Sequence, residues 1–115
     1  MSAVIEEAKK SYFEYLEKLA AGCQQISDDL RTENTSVAIN NIMDAIQGMQ
    51  WLTDVEVGLK KNKYRIDSVM EKANGFLNDI NEALEKRDYV YVADLFEYEL
   101  QPLFEAQLEE KFVKM

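Results

Sequence analysis

The stretch AVIEEAKKSYFEYLEKLAAGCQQISDDLR, residues 3–31, decides the fold class. Ile5, Ala8, Tyr12, Leu16, Leu19, Cys23, Ile26 and Leu30 recur at intervals of three or four, the spacing that gathers side chains into one stripe along an α-helix. Glu6, Lys10, Glu17 and Asp28 fall on the outer face.

Three further amphipathic segments follow. Residues 32–36, TENTS, have side chains that compete for backbone hydrogen bonds, which predicts a turn and then a helix N-cap. A second helix is expected over residues 35–60, with Ile39, Ile42, Met43, Ile46, Met49, Thr53 and Val57 on one face. Lys60 and Lys61 mark its end, because cations there complement the partial negative charge of unpaired carbonyls. Residues 63–86 carry the cleanest pattern: Ile66, Val69, Met70, Ala73, Phe76, Leu77, Ile80 and Leu84 share one side, with Gly75 opposite. Asp88 is the expected N-cap of a fourth helix starting at Tyr89. Pro102 cannot donate a hydrogen bond and clashes with the preceding turn, so a kink is expected, or a stop near Leu100 and a restart through Lys114. Short connections make the simplest arrangement an all-α, antiparallel (up-down-up-down) four-helix bundle forming a single domain over residues 1–115.

Composition narrows the function. With 47% hydrophobic and 30% charged residues, the chain is neither disordered nor a membrane protein. Its first residues lack a basic region followed by an apolar run, so a cytoplasmic location is expected. A net charge of -9 repels phosphates and anionic lipid, which argues against nucleic acid or a membrane as partner. The one basic cluster, Lys60, Lys61, Lys63 and Arg65, reads as a solvated turn. Cys23 is the single cysteine, so no internal disulfide or thiolate metal cluster can form, and its spacing from Leu19 and Ile26 makes it a small core residue.

Histidine is absent, which removes Ser-His-Asp and Cys-His catalysis, the usual zinc sites and the Glu-x-x-His pairs of helical di-iron bundles. Neither a P-loop, a Gly-x-Gly-x-x-Gly fingerprint nor an EF-hand loop occurs, and no cofactor is expected. The chain reads as a non-enzyme. Among the carboxylates, Asp94 and Glu97 lie about 60° apart on a helical wheel while Glu99 points elsewhere. Glu99 shares a sector with Val92, Leu95 and Ala106, so burial would require a partner or a raised pKa. A satisfied structural glutamate is the first reading of it, and an all-carboxylate metal site the alternative.

Two features point to a protein partner. The fourth segment has one stripe of Tyr89, Ala93, Phe96, Leu100 and Leu103, and a second on the opposite side of Tyr91, Leu95, Tyr98 and Pro102. The layer covering the second stripe can be another part of the chain, a second copy in a homodimer, or a different protein. Asp94, Glu99 and Glu105 rim it, and residues 88–110 hold seven acidic side chains and no Lys or Arg, which favours a basic partner. On the second helix, Trp51 projects off the apolar stripe into a sector with Val55, Gly48 and Asp44, as an interface anchor would. Alternatively, Gly48 kinks the helix and turns Trp51, Leu52, Val55 and Leu59 inward.

The stretch DYVYVADLFEYELQP, residues 88–102, following Leu84-Glu-Lys-Arg, looks like the C-terminal signature of small uncharacterised helical proteins from Gram-positive bacteria. The length, bundle organisation and tail of residues 80–107 are also similar to the flagellin export chaperone family, whose small helical bundles wrap an amphipathic segment of an unfolded client. That resemblance implies a class of function, binding a helical segment of another protein, and transfers no site residues. The expected candidate binding residues come from the second stripe and the Trp51 sector: Tyr91, Leu95, Tyr98, Trp51 and Val55.

Overall fold

The computed structural model describes residues 2–115; Met1, where the N-terminal stretch begins, lies outside the described residues. Among the described residues the chain is all-α, with four helical segments and one minimal sheet. Helix α1 spans Ser2–Arg31 and α2 spans Thr35–Lys61. The turn between them closes without glycine: Glu33 takes φ 65°, and the Asn34 amide donates to the Asp29 carbonyl at 2.8 Å. That six-to-one bond satisfies an otherwise unpaired carbonyl of the last turn.

Residues 63–86 do not form the single helix that their spacing predicts. Lys63, at φ 71°, turns the chain out of α2. Tyr64–Arg65 then forms a strand, β1, paired antiparallel with β2, Val113–Lys114. Helix resumes as α3, Met70–Asn74, and α4, Leu77–Glu85. The competing force is non-local: the C-terminal strand pairs with β1, and the Val69 amide donates to the Gln107 side-chain carbonyl at 3.0 Å. The inward direction of the apolar residues holds nonetheless. Met70, Ala73 and Ile80 are buried, and Ile66, Val69, Phe76, Leu77 and Leu84 pack against the core.

The fourth segment runs from α5, Tyr89–Asp94, through a π-helical stretch, Leu95–Leu100, into α6, Gln101–Gln107. Asp88 caps it by accepting from the Tyr91 amide at 3.2 Å. The distortion that Pro102 requires is this widened turn, which lies immediately before it. The helix neither stops at Leu100 nor reaches Lys114; it ends at Gln107.

Cross-helix contacts fix the directions. Tyr12 of α1 meets Glu56 near the end of α2, and Arg31 meets Asp94 while Tyr12 meets Gln107, so α2 and the fourth segment both run antiparallel to α1. On α2 the core face differs from the stripe read from the sequence. It passes through Ala38, Ile42, Ala45, Met49, Leu52 and Leu59, leaving Met43 and Val57 exposed. Phe112 closes the lower end of the core, edge-on to Tyr12 at 5.0 Å and to Phe13 at 5.9 Å between ring centres. Among the described residues, no helix is long and apolar enough to cross a membrane.

Candidate functional site

Along the α1–α2 seam, Tyr15 and Trp51 reach solvent beside an opening. Tyr15 of α1 lies over Gly48 of α2, where a Cβ would overlap its hydroxyl end. Gly48 is therefore a notch for the tyrosine, and α2 is continuous through it. Trp51, 41% exposed, stands edge-on to Tyr15 with ring centres 5.6 Å apart. Both sequence readings of Trp51 are partly met: Leu52 and Leu59 point inward and Val55 packs against the core, whereas Trp51 keeps one face in water. Burial, reinforced by Asp44, raises the Tyr15 pKa and keeps its hydroxyl a donor.

Next to this pair, a groove of about 250 Å³ runs between α1 and α2, floored by Leu19, Ile26 and Ala45 and edged by Lys18 and Asp44. Gly22 lies in its wall. A Cβ on Gly22 would meet nothing within 4 Å, so packing within the chain does not require glycine there. Glycine in a helix interior nonetheless costs about 1 kcal/mol relative to alanine.

The fourth-segment face is built differently from the sequence reading. Leu95 is only 4% exposed and belongs to the apolar core. The layer over Leu95 is thus part of the chain itself: the π-helical stretch packs against α1, while α4 packs against α5 and Tyr91 borders the same depression as Ala83. Leu95 is a core residue and not a surface anchor. Tyr91 and Tyr98 remain exposed, the latter by 62%.

The acidic margin of that face is neutralised in part from α1. Arg31 donates to Asp94 at 2.8 Å and sits 3.6 Å from Glu97, while the buried Ser27 hydroxyl donates to Glu97 at 2.8 Å. These bonds, Ser27 first and the Tyr98 hydroxyl next, hold the Glu97 carboxyl below the usual carboxylate range. Glu99 is exposed, which removes the buried-carboxylate reading. Among the described residues, no three His, Cys, Asp or Glu side chains are grouped to hold a metal ion.

The two aromatic surfaces do not merge. Tyr15, beside Trp51, and Arg31, beside Asp94, are about 24 Å apart along α1 at the rise of an α-helix.

Sequence reasoning missed a buried relay. Tyr12 donates to Glu56 at 2.6 Å and accepts from the fully buried Gln107 at 3.2 Å, and Gln107 in turn accepts from the Val69 amide. It joins α1, α2, α6 and the segment leading into α3. The available signal was Gln107 itself, a polar residue three positions beyond Phe104 on the face that carries Phe96 and Leu100. Cys23 is buried as expected, and burial, with Glu105 nearby, pushes its thiol up to about 12.

These features describe a small four-helix protein with one interhelical groove beside Tyr15 and an exposed tyrosine pair, Tyr91 and Tyr98, on the fourth segment. By sequence the chain belongs to the family described as a domain of unknown function, DUF8042, which matches residues 7–110. No curated protein and no solved structure matches it.

Proposed function

We propose that this chain is a cytoplasmic, non-enzymatic protein-interaction module, an adaptor or export-chaperone-like protein, that receives a helical segment of a partner in the α1–α2 groove. The observation that carries the reading is the half-exposed Trp51–Tyr15 pair beside the opening at Gly22. A large rigid ring is the side chain most often found to anchor an interface, and a glycine without an internal packing role lets a partner backbone come close. The groove can take one or two aliphatic side chains, as a helix laid along it would present them.

The test is affinity recovery of the bound partner from the source cells with two groove variants and one control. Gly22→Ala adds a methyl group into open space and should raise stability by about 1 kcal/mol. Gly22→Leu fills the groove and should abolish recovery while the chain stays folded by circular dichroism. Tyr98→Ala, on the other surface, should leave recovery unchanged. Recovery that survives Gly22→Leu defeats the groove reading; loss with Tyr98→Ala alone moves the interface to the fourth segment.

A homodimer is the second reading, favoured by the exposure of Val90, Tyr91 and Tyr98 on one segment. A two-fold contact uses one patch twice. Light scattering across dilution distinguishes it, since a monomer at high concentration removes it.

A further inference from the structure

A second opening, distinct from the α1–α2 groove, lies between α2 and the segment leading into α3. Two depressions of about 330 and 390 Å³ share Thr53, Glu56 and Ser68, so they form one cleft with Glu56 at its middle. Lys60 and Arg65 line one end, and Glu71 lines the other. The charges in this cleft are separated and not spent on each other. Glu56 and Lys60 stand four residues apart on α2, in the order that favours an ion pair, yet no ion pair forms between them among the described residues. Glu56 is instead held by the Tyr12 hydroxyl at 2.6 Å, within the buried relay. Arg65 has Asp67 as its ion-pair partner, 3.7 Å away, and both side chains are mostly exposed. Ser68 accepts from the Met70 amide, which leaves its hydroxyl hydrogen free to donate.

We infer that this cleft binds a small zwitterion, its ammonium group on Glu56 and its carboxylate on Lys60 and Arg65, with Ser68 donating a further hydrogen bond. The volume lies in the range of small-molecule sites. The relay fixes Glu56 before a ligand arrives, so little ordering cost falls on the carboxylate during binding. A ligand with one charge satisfies only one end of the cleft and leaves the opposite group in water, which makes charge separation within the ligand the selective feature.

The test is a titration of the full chain, followed by backbone amide shifts, with glycine, γ-aminobutyrate and 6-aminohexanoate as zwitterions of increasing charge separation. Butylamine and butyrate serve as single-charge controls. At least one zwitterion should give saturable shifts confined to residues 53–60 and 65–74, binding about tenfold or more tightly than either control, as expected for one added charge-assisted hydrogen bond. Lys60→Gln and Arg65→Gln, both on the surface, should each weaken that binding while the chain stays folded by circular dichroism. Glu56→Gln should weaken it too, while its amide still accepts from Tyr12. No saturable shift with any zwitterion, or equal shifts with butylamine and butyrate, or full binding in the Lys60→Gln, Arg65→Gln double variant, overturns the inference. Because the α1–α2 groove shares none of these residues, either result leaves the test of partner binding independent.

Discussion

The Tyr15 ring occupies the space that a side chain at Gly48 would take, and its edge meets Trp51 at 5.6 Å between ring centres. One missing Cβ on α2 thus sets the position of an aromatic residue on α1, which lines the groove and packs against the single tryptophan. Gly48→Ala should expel the tyrosine ring. The helix gains about 1 kcal/mol in propensity and loses an aromatic pair worth a similar amount, so the melting temperature should change little. Trp51 emission should shift to longer wavelength as the ring loses its neighbour. An unchanged emission spectrum would show that Tyr15 does not depend on the notch.

The relay through Tyr12 predicts a larger cost from a smaller change. Tyr12→Phe removes one hydroxyl, yet it strips Glu56 of its donor and leaves the Gln107 amide buried without its acceptor. The expected destabilisation is about 1–3 kcal/mol by urea unfolding. Gln107→Leu should cost a comparable amount, because the Val69 amide then loses its partner.

Glu97 gives the fold an acid-sensitive component. Its carboxyl is held below the usual range in the folded chain by Ser27 first and by Tyr98 next. The ionised form is the one that the fold favours, so this stabilisation is complete above the unfolded carboxylate pKa of about 4.3 and fades as pH falls through the lower folded value. Ser27→Ala should flatten the loss of stability below about pH 5, measured as melting temperature against pH. An identical profile in the variant would contradict the assignment. The exposed Arg31–Asp94 pair should contribute less, about 0–1 kcal/mol, and should weaken with salt.

Cys23 should behave as a core residue towards reagents. Burial pushes its thiol up to about 12, so the nucleophilic thiolate is scarce in the folded state. Iodoacetamide at pH 8 should modify the native chain far more slowly than the urea-unfolded chain. As pH rises above about 9, the unfolded thiol ionises while the folded one does not, and stability should decline through the folded value. Rapid native alkylation would place the thiol at the surface.

The periodicity of residues 3–31 and 35–60 described two long helices because their geometry is set by contacts within one or two turns. Cys23 and the Asp88 cap were legible for the same reason. The segment 63–86 was not, since what unwinds it is pairing between Tyr64 and Lys114, fifty residues apart. A 3.6-residue pattern states which side chains turn inward, and Ile66 and Val69 do so from non-helical backbone. On the fourth segment the second stripe divides: the π-helical stretch packs against α1 and closes Leu95 in, while Tyr91 and Tyr98 stay exposed, and a regular 3.6-residue wheel could not show that division. Glu56 and Gln107 escaped notice because their partners come from different helices. Of the residues that the sequence marked, Trp51, Tyr91 and Tyr98 stay exposed, while Leu95 and Val55 pack into or against the core.

The most direct measurement is site-specific photo-crosslinking in the source cells, with a photoreactive phenylalanine analogue placed at Lys18, on the groove edge, and at Asn78, an exposed position on α4. A discrete adduct with another protein is expected from position 18, lost when Gly22→Leu is added, and no such adduct from position 78. Equal adducts from both positions, or an adduct at 18 that persists with the groove filled, would contradict partner binding in the groove.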